Sequence, residues 1–160
     1  MAKNKEEKTN VMRTLEQKKI PCTAHSYDPE GPIDGVSVAQ TLGQPPERVF
    51  KTLVTKGASG AYYVFDIPVA ENLDLKKAAR AVGEKSIAML PQKELLGLTG
   101  YVHGGCSPVG MKKQFPTVFH ETVAEYDTIC VSAGKIGYQV ECDPKALLTL
   151  LRAGTADIIV

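Results

Sequence analysis

Apolar and polar positions change period repeatedly along the chain, and each change predicts a new element. Val11, Leu15 and Ile20 give a helix with a narrow apolar face, capped by Thr9 or Asn10 and ended by Pro21. Cys22 to Tyr27 alternates as a short strand, closed by the turn cluster Asp28-Pro29-Glu30-Gly31-Pro32. Val38, Ala39 and Leu42 fall at helical spacing behind a Ser37 cap, Gly43 stops them, and Pro45-Pro46 opens a further helical turn. Val49 to Thr55 is rich in β-branched residues and predicts a strand. Gly57 to Gly60 then turns the chain into an antiparallel partner over Ala61 to Ile67.

Beyond this hairpin, Asn72 or Asp74 caps a helix from Leu75 to Val82, lysine-rich on one side. Ser86 to Met89 reads as a short strand, and Pro91 at the first helical position opens a helix reaching about Leu96 before Gly97. Strands follow at Thr117 to His120, Thr128 to Ser132 and Tyr138 to Cys142, with a helix or turn over Glu121 to Tyr126. Asp143 caps a last helix, Pro144 starts it, and Ala156 to Val160 adds an edge strand. Strands and short helices interleave irregularly around a central hairpin. The predicted fold is therefore α+β: a single domain over residues 1–160, with a mixed, largely antiparallel sheet surrounded by short helices.

Composition narrows the function without naming it. At 160 residues, 43% hydrophobic and 23% charged, the chain is ordinary globular sequence. The net charge of +1 excludes a general nucleic-acid coat but leaves room for a protein that holds only the end of an RNA. The four cysteines, at 22, 106, 130 and 142, form no CxxC and have no metal-ligand spacing with a histidine, so no metal site is expected. The opening Met1 to Asn10 has no apolar signal region and no stretch reaches membrane-spanning length, so a cytoplasmic protein with no membrane contact is expected.

Candidate chemistry gathers in Tyr101 to Lys113. Gly104, Gly105 and Gly110 with Pro108 make a loop that can point several backbone N–H groups and the Ser107 hydroxyl at one oxygen; the same composition also serves an ordinary tight turn. Lys51 shares a strand face with Val49 and Leu53, a place where an ammonium either meets an anion or ligand or snorkels to water from an edge. Cys106 near His103 lacks a fixed geometry and an orienting acid, and reads better as a small apolar loop residue than as a nucleophile. Ser107 has no nucleophile-elbow context. Asp66 ends a strand near these residues and serves equally well as a turn cap. No dyad, triad or metal set emerges, so any catalysis would rest on backbone dipoles, positioning and the substrate's own groups.

Taken together, Val49-Phe-Lys-Thr-Leu53, Leu73-Asp-Leu-Lys-Lys-Ala78, the Gly-Gly-Cys-Ser-Pro-Val-Gly loop of residues 104–110 and Val131-Ser-Ala-Gly-Lys-Ile-Gly137 resemble the YbaK/EbsC family. These are the free-standing relatives of the prolyl-tRNA synthetase editing domain. The resemblance runs over nearly the whole chain and implies the fold of that domain. It also implies a trans-editing deacylase for cysteine mischarged on proline tRNA, in which the substrate thiol attacks its own ester and a thiolactone leaves. On this likeness Lys51 holds the aminoacyl-adenosine end or carbonyl, while Gly104, Gly105, Cys106 and Ser107 supply backbone donors. Tyr27 borders the amino-acid pocket, and Ser132 and Gly134 approach the adenosine. Where the family often carries an acid, this chain has Gln139, which cannot hold an amine as a carboxylate does. The implied partners are the acceptor end of mischarged proline tRNA and, transiently, prolyl-tRNA synthetase, with no metal or organic cofactor. Removal of alanine or another small residue, and a non-catalytic tRNA- or synthetase-binding module, are the alternatives.

Overall fold

The computed structural model describes residues 8–160; the opening segment over residues 1–7, read above for its lack of an apolar signal, lies outside them. Helix α1 (Asn10–Gln17) starts where the Thr9 hydroxyl accepts the Met12 N–H at 3.2 Å, and it buries Val11 and Leu15. Strand β1 (Cys22–Ser26) precedes helix α2 (Gly35–Thr41) and a 3-10 turn at Pro46–Arg48. The central hairpin is β2 (Phe50–Gly57) and β3 (Tyr62–Pro68), followed by α3 (Leu75–Val82), β4 (Ile87–Met89) and α4 (Gln92–Thr99). After the glycine-rich loop come β5 (Thr117–His120), β6 (Ile129–Ser132), β7 (Tyr138–Cys142), α5 (Pro144–Leu151) and β8 (Gly154–Ala156).

The expected single sheet is divided in two. One has the order β1-β7-β6 and is antiparallel throughout; the other runs β4-β2-β3-β5-β8 and is antiparallel except at β3–β5 and β5–β8. A single parallel bridge, Val49 to Cys130, joins them, because β2 meets β6 only at its first residues. The main core lies between the sheets, with Val131, Val140 and Cys142 against Leu15, Phe50, Phe119 and Leu147. On the far face of the larger sheet, Phe65 and Ile67 are sealed by Ala78 and Ala79 of α3 and by Ile158. Each such fully buried large side chain contributes about 1.5–3 kcal/mol relative to exposure.

Several boundaries differ from the sequence expectation for local reasons. Helix α2 is capped by Asp34, whose carboxylate accepts the Ser37 N–H at 3.1 Å, so Ser37 lies inside the helix. Pro91 is the cap residue of α4 and not its first helical position. That helix passes through Gly97 because Leu95 and Leu98 pack against Val54, Val64 and Met111, and it stops at Gly100, where φ is 87°. The last strand comes earlier than residues 156–160. Arg152 takes a left-handed φ of 52° after α5, and the chain is already paired with β5 at Gly154. Asp66 lies within β3, opposite Thr52, and caps no turn.

Candidate active site

Strand β4 pairs with β2 only from Thr55 to Gly57, leaving the edge of β2 over residues 49–53 uncovered by that partner. A cavity of about 370 Å³ opens there, walled by β2, by the first turns of α2, by β6 and β7, and by the loop after α4. Small-molecule sites span about 300–1,000 Å³, so the cavity is of a size to bind one.

Lys51 lines it. Among the described residues no hydrogen bond or ion pair reaches its ammonium, and burial pushes its pKa down, with Glu71 pulling partly the other way. Lys51 thus sits half-buried at the edge of β2 that β4 leaves open, a place from which its ammonium can reach either water or a bound anion.

The glycine-rich loop is closed on itself before it meets the cavity. Lys112 N–H bonds the Thr99 carbonyl at 3.0 Å, and the Tyr101 hydroxyl reaches the Val109 carbonyl at 2.5 Å. Gly104 has φ of 89°, and a Cβ there would lie 2.9 Å from Ile33 Cδ1 in the cavity wall, so both conformation and space require glycine. Gly104 and Cys106 line the cavity. Gly105 sits behind them, where a Cβ would come 3.0 Å from the Ile136 nitrogen, and its N–H is given to the Val102 carbonyl at 3.0 Å. Gly105 is therefore withdrawn from the expected set of backbone donors. Ser107 is fully buried, its hydroxyl accepting the Val109 N–H at 3.2 Å, so it shapes the loop from within. The Cys106 thiol is pushed up to about 12 by burial and then by the nearby Asp66 charge, which suits a thiol that stays protonated.

On the opposite wall Tyr27, Ser132 and Gln139 line the cavity, while Gly134 lines an adjoining one with Tyr101 and Tyr138. The Ser132 hydroxyl accepts the Gly134 N–H at 3.1 Å, fixing that turn. Gln139 is buried and locked in a reciprocal amide pair with Gln44, at 2.7 and 3.1 Å. One of its two amide donors and one of its oxygen lone pairs are thereby spent within the protein.

The sequence does not single out Thr52, and it leaves Asp66 only an even choice between capping a turn and acting. Thr52 lines the cavity beside Lys51, and its hydroxyl donates to Asp66 Oδ1 at 2.6 Å from the register position opposite. Asp66 is wholly buried, its Oδ2 is unpartnered, and desolvation raises its pKa to about 8 despite the Thr52 bond. The only signal was an acid set among Tyr-Val-Phe and Ile-Pro. Away from the cavity, His25, Cys130 and Glu141 bring potential ligand atoms within 4.8 Å of one another. Arg48 lies 3.2 Å from that same Glu141 carboxylate, and Thr128 bonds it at 2.5 Å. Burial first, then Glu141, pushes the Cys130 thiol up to about 12. With a cation already on the carboxylate and the thiol protonated, this is an ion-pair network in the smaller sheet and a poor metal cage.

Lys51 and the Gly104 and Cys106 positions of the glycine-rich loop thus line one cavity. Residues 34–150 match the aminoacyl-tRNA editing domain, and the chain belongs to that family. It is 48% identical, over 99% of its own length and 98% of the relative's, to an Enterococcus faecalis protein named as a candidate Cys-tRNA(Pro)/Cys-tRNA(Cys) deacylase, EbsC. It is 27% identical over 108 residues to the proline–tRNA ligase of Burkholderia orbicola, a stretch covering 65% of this chain and 19% of that ligase. In structure it is similar to a candidate trans-editing enzyme for prolyl-tRNA synthetase, with a TM-score of 0.82, 27% identity and 94% of each chain covered.

Proposed function

We propose that the chain, acting as one editing domain over residues 1–160, is a free-standing deacylase that removes cysteine from mischarged proline tRNA. The observation that carries this reading is the uncompensated Lys51 ammonium in one cavity with Gly104 and Cys106, whose thiol burial keeps protonated. Lys51 holds the ester carbonyl or the adjoining phosphate, and the Cys106 amide faces the oxygen on which charge develops. The substrate thiol attacks its own carbonyl, a thiolactone forms, and the tRNA leaves. Tyr27 closes the amino-acid pocket, and Ser132 with Gly134 steers the terminal adenosine.

A chemical sieve of this kind is useful because proline and cysteine are too alike in size for a binding pocket to separate by more than about 1–3 kcal/mol. The net charge of +1 offers little general attraction for tRNA, so selectivity for proline tRNA is borrowed from a transient complex with prolyl-tRNA synthetase in the cytoplasm. Among the described residues no helix is long and apolar enough to cross a membrane.

The deciding assay follows loss of cysteine, alanine and serine from proline tRNA under single-turnover conditions. Selective loss of the cysteinyl ester is expected. Equal or faster loss of the alanyl ester would move the protein to the alanine-editing alternative, in which no substrate thiol takes part.

A further inference from the structure

The thiol-assisted reaction leaves one role unfilled. The substrate S–H must lose a proton as it attacks, and the ribose oxygen must gain one as it leaves. Among the described residues Asp34 is the only carboxylate lining the cavity, and it is engaged as the cap of α2. His103, also on the wall, is exposed and has no acid bonded to it among the described residues. Gln139 carries no charge. The remaining proton acceptor in reach lies one side chain behind the surface.

Thr52 and Asp66 face each other across β2 and β3 and point to the same side of the sheet. The Thr52 hydroxyl donates to Asp66 Oδ1 at 2.6 Å, so its oxygen lone pairs are left for the cavity it lines. Asp66 is fully buried and no cation pairs with it among the described residues; its second oxygen has no partner at all. Phe119 of β5 lies beside it in register, and the Cys106 thiol approaches from the loop. Lys51 projects to the opposite face of β2. A carboxyl left this unsatisfied is costly in a structural role, and such sites are where function is found.

We propose that Asp66, acting through the Thr52 hydroxyl, receives the proton of the substrate thiol and returns it to the leaving ribose oxygen. This rests on the thiol-assisted reading above. In the forward step the S–H proton passes to Thr52 Oγ1 while the Thr52 proton passes to Asp66 Oδ1. The sulfur electron pair forms the C–S bond, and the C–O bond to ribose breaks. The departing oxygen takes a proton from Thr52, which recovers its own from Asp66, so both residues end as they began. Burial brings the Asp66 carboxyl to about 8, close to the range of a free thiol, which favours transfer in both directions.

The test is cysteinyl-ester deacylation by wild type, Asp66→Asn, Thr52→Val and Thr52→Ser, with kcat and KM resolved. Asparagine keeps the shape and can still accept from Thr52, so it removes the proton acceptor alone. A relay of this kind predicts that Asp66→Asn and Thr52→Val each lose about 100-fold in kcat with KM within about threefold, and that Thr52→Ser retains at least about a tenth of wild-type kcat. Thermal melting checks that each variant is folded, and Thr52→Val carries the test if Asp66→Asn is not. Unchanged kcat in Asp66→Asn overturns the relay. So does a raised KM at constant kcat, which would make the pair an anchor for the substrate amine. A wild type that shows no preference for the cysteinyl ester refutes the thiol-assisted reading itself, a failure read without any variant.

Discussion

Replacing Lys51 by methionine should move activity and stability in opposite directions. The ammonium is half-buried and unpaired among the described residues, and its pKa is lowered by burial, against a smaller pull from Glu71. The sign follows from proton linkage. A base whose folded pKa lies below its unfolded one binds fewer protons when folded, so its charge destabilises the fold fully below the folded pKa and not at all above the unfolded one. At pH 7, far below the ordinary lysine range, that cost is present. Methionine keeps the aliphatic stem against Leu53 and removes the charge. Discounting for the half of the side chain still in water, the gain is on the order of 1 kcal/mol. For a chain of this size that raises Tm by about 2–4 °C, an advantage that fades as pH approaches the ordinary lysine range. Activity should fall, because one preorganised electrostatic contact to the developing oxyanion is worth about 10²–10³-fold in kcat. The assay is thermal unfolding by circular dichroism at pH 7, paired with cysteinyl-ester deacylation on the same preparation. A Tm lowered by several degrees would mean that Lys51 is paired in the fold and not held open for a ligand. Activity within tenfold of wild type would remove it from the site.

Two further outcomes follow from pairs that the sheets bring together. Gln44→Ala leaves the buried Gln139 amide unsatisfied, so a loss of about 1–3 kcal/mol is expected in chemical denaturation; Gln139→Leu combined with Gln44→Leu should restore most of it. Thr128 first, then His25 and Arg48, hold the Glu141 carboxyl below its usual pKa, so its stabilisation is present above the unfolded carboxylate range and lost as pH falls through the lowered folded value. Melting curves of wild type and Glu141→Gln should accordingly differ at pH 7, by about 1 kcal/mol after solvent screening, and converge as pH falls through the lowered folded value. A constant difference across that range would assign the stabilisation to packing.

Much of this molecule is written in short-range chemistry. Thr9, Asp74 and Asp143 start their helices because a side-chain oxygen two or three residues away from an orphan N–H needs no tertiary help. The β2–β3 hairpin follows from β-branched alternation around a glycine turn, and that alternation alone set Lys51 on a face with Leu53. The loop from Gly104 to Gly110 announced itself because glycine and proline act on their own backbone.

What the chain could not disclose locally depends on contacts between residues distant in sequence. The strands sort into two sheets that meet at the Val49–Cys130 bridge, and nothing near Val49 encodes that meeting. Gln44 and Gln139 find each other across 95 positions, turning a substituted recognition residue into a closed internal pair. Gly105 lost its donor role only because the folded loop directs its N–H to Val102. Asp66 shows the division most clearly. Its sequence neighbours say only that an acid lies in an apolar strand. The register of β3 against β2 sets it behind Thr52, and burial in the packed chain changes its ionisation. Propensity and turn chemistry act over a few residues and can be read in order; register, burial and desolvation are properties of the whole packed chain, and they decided what the site contains.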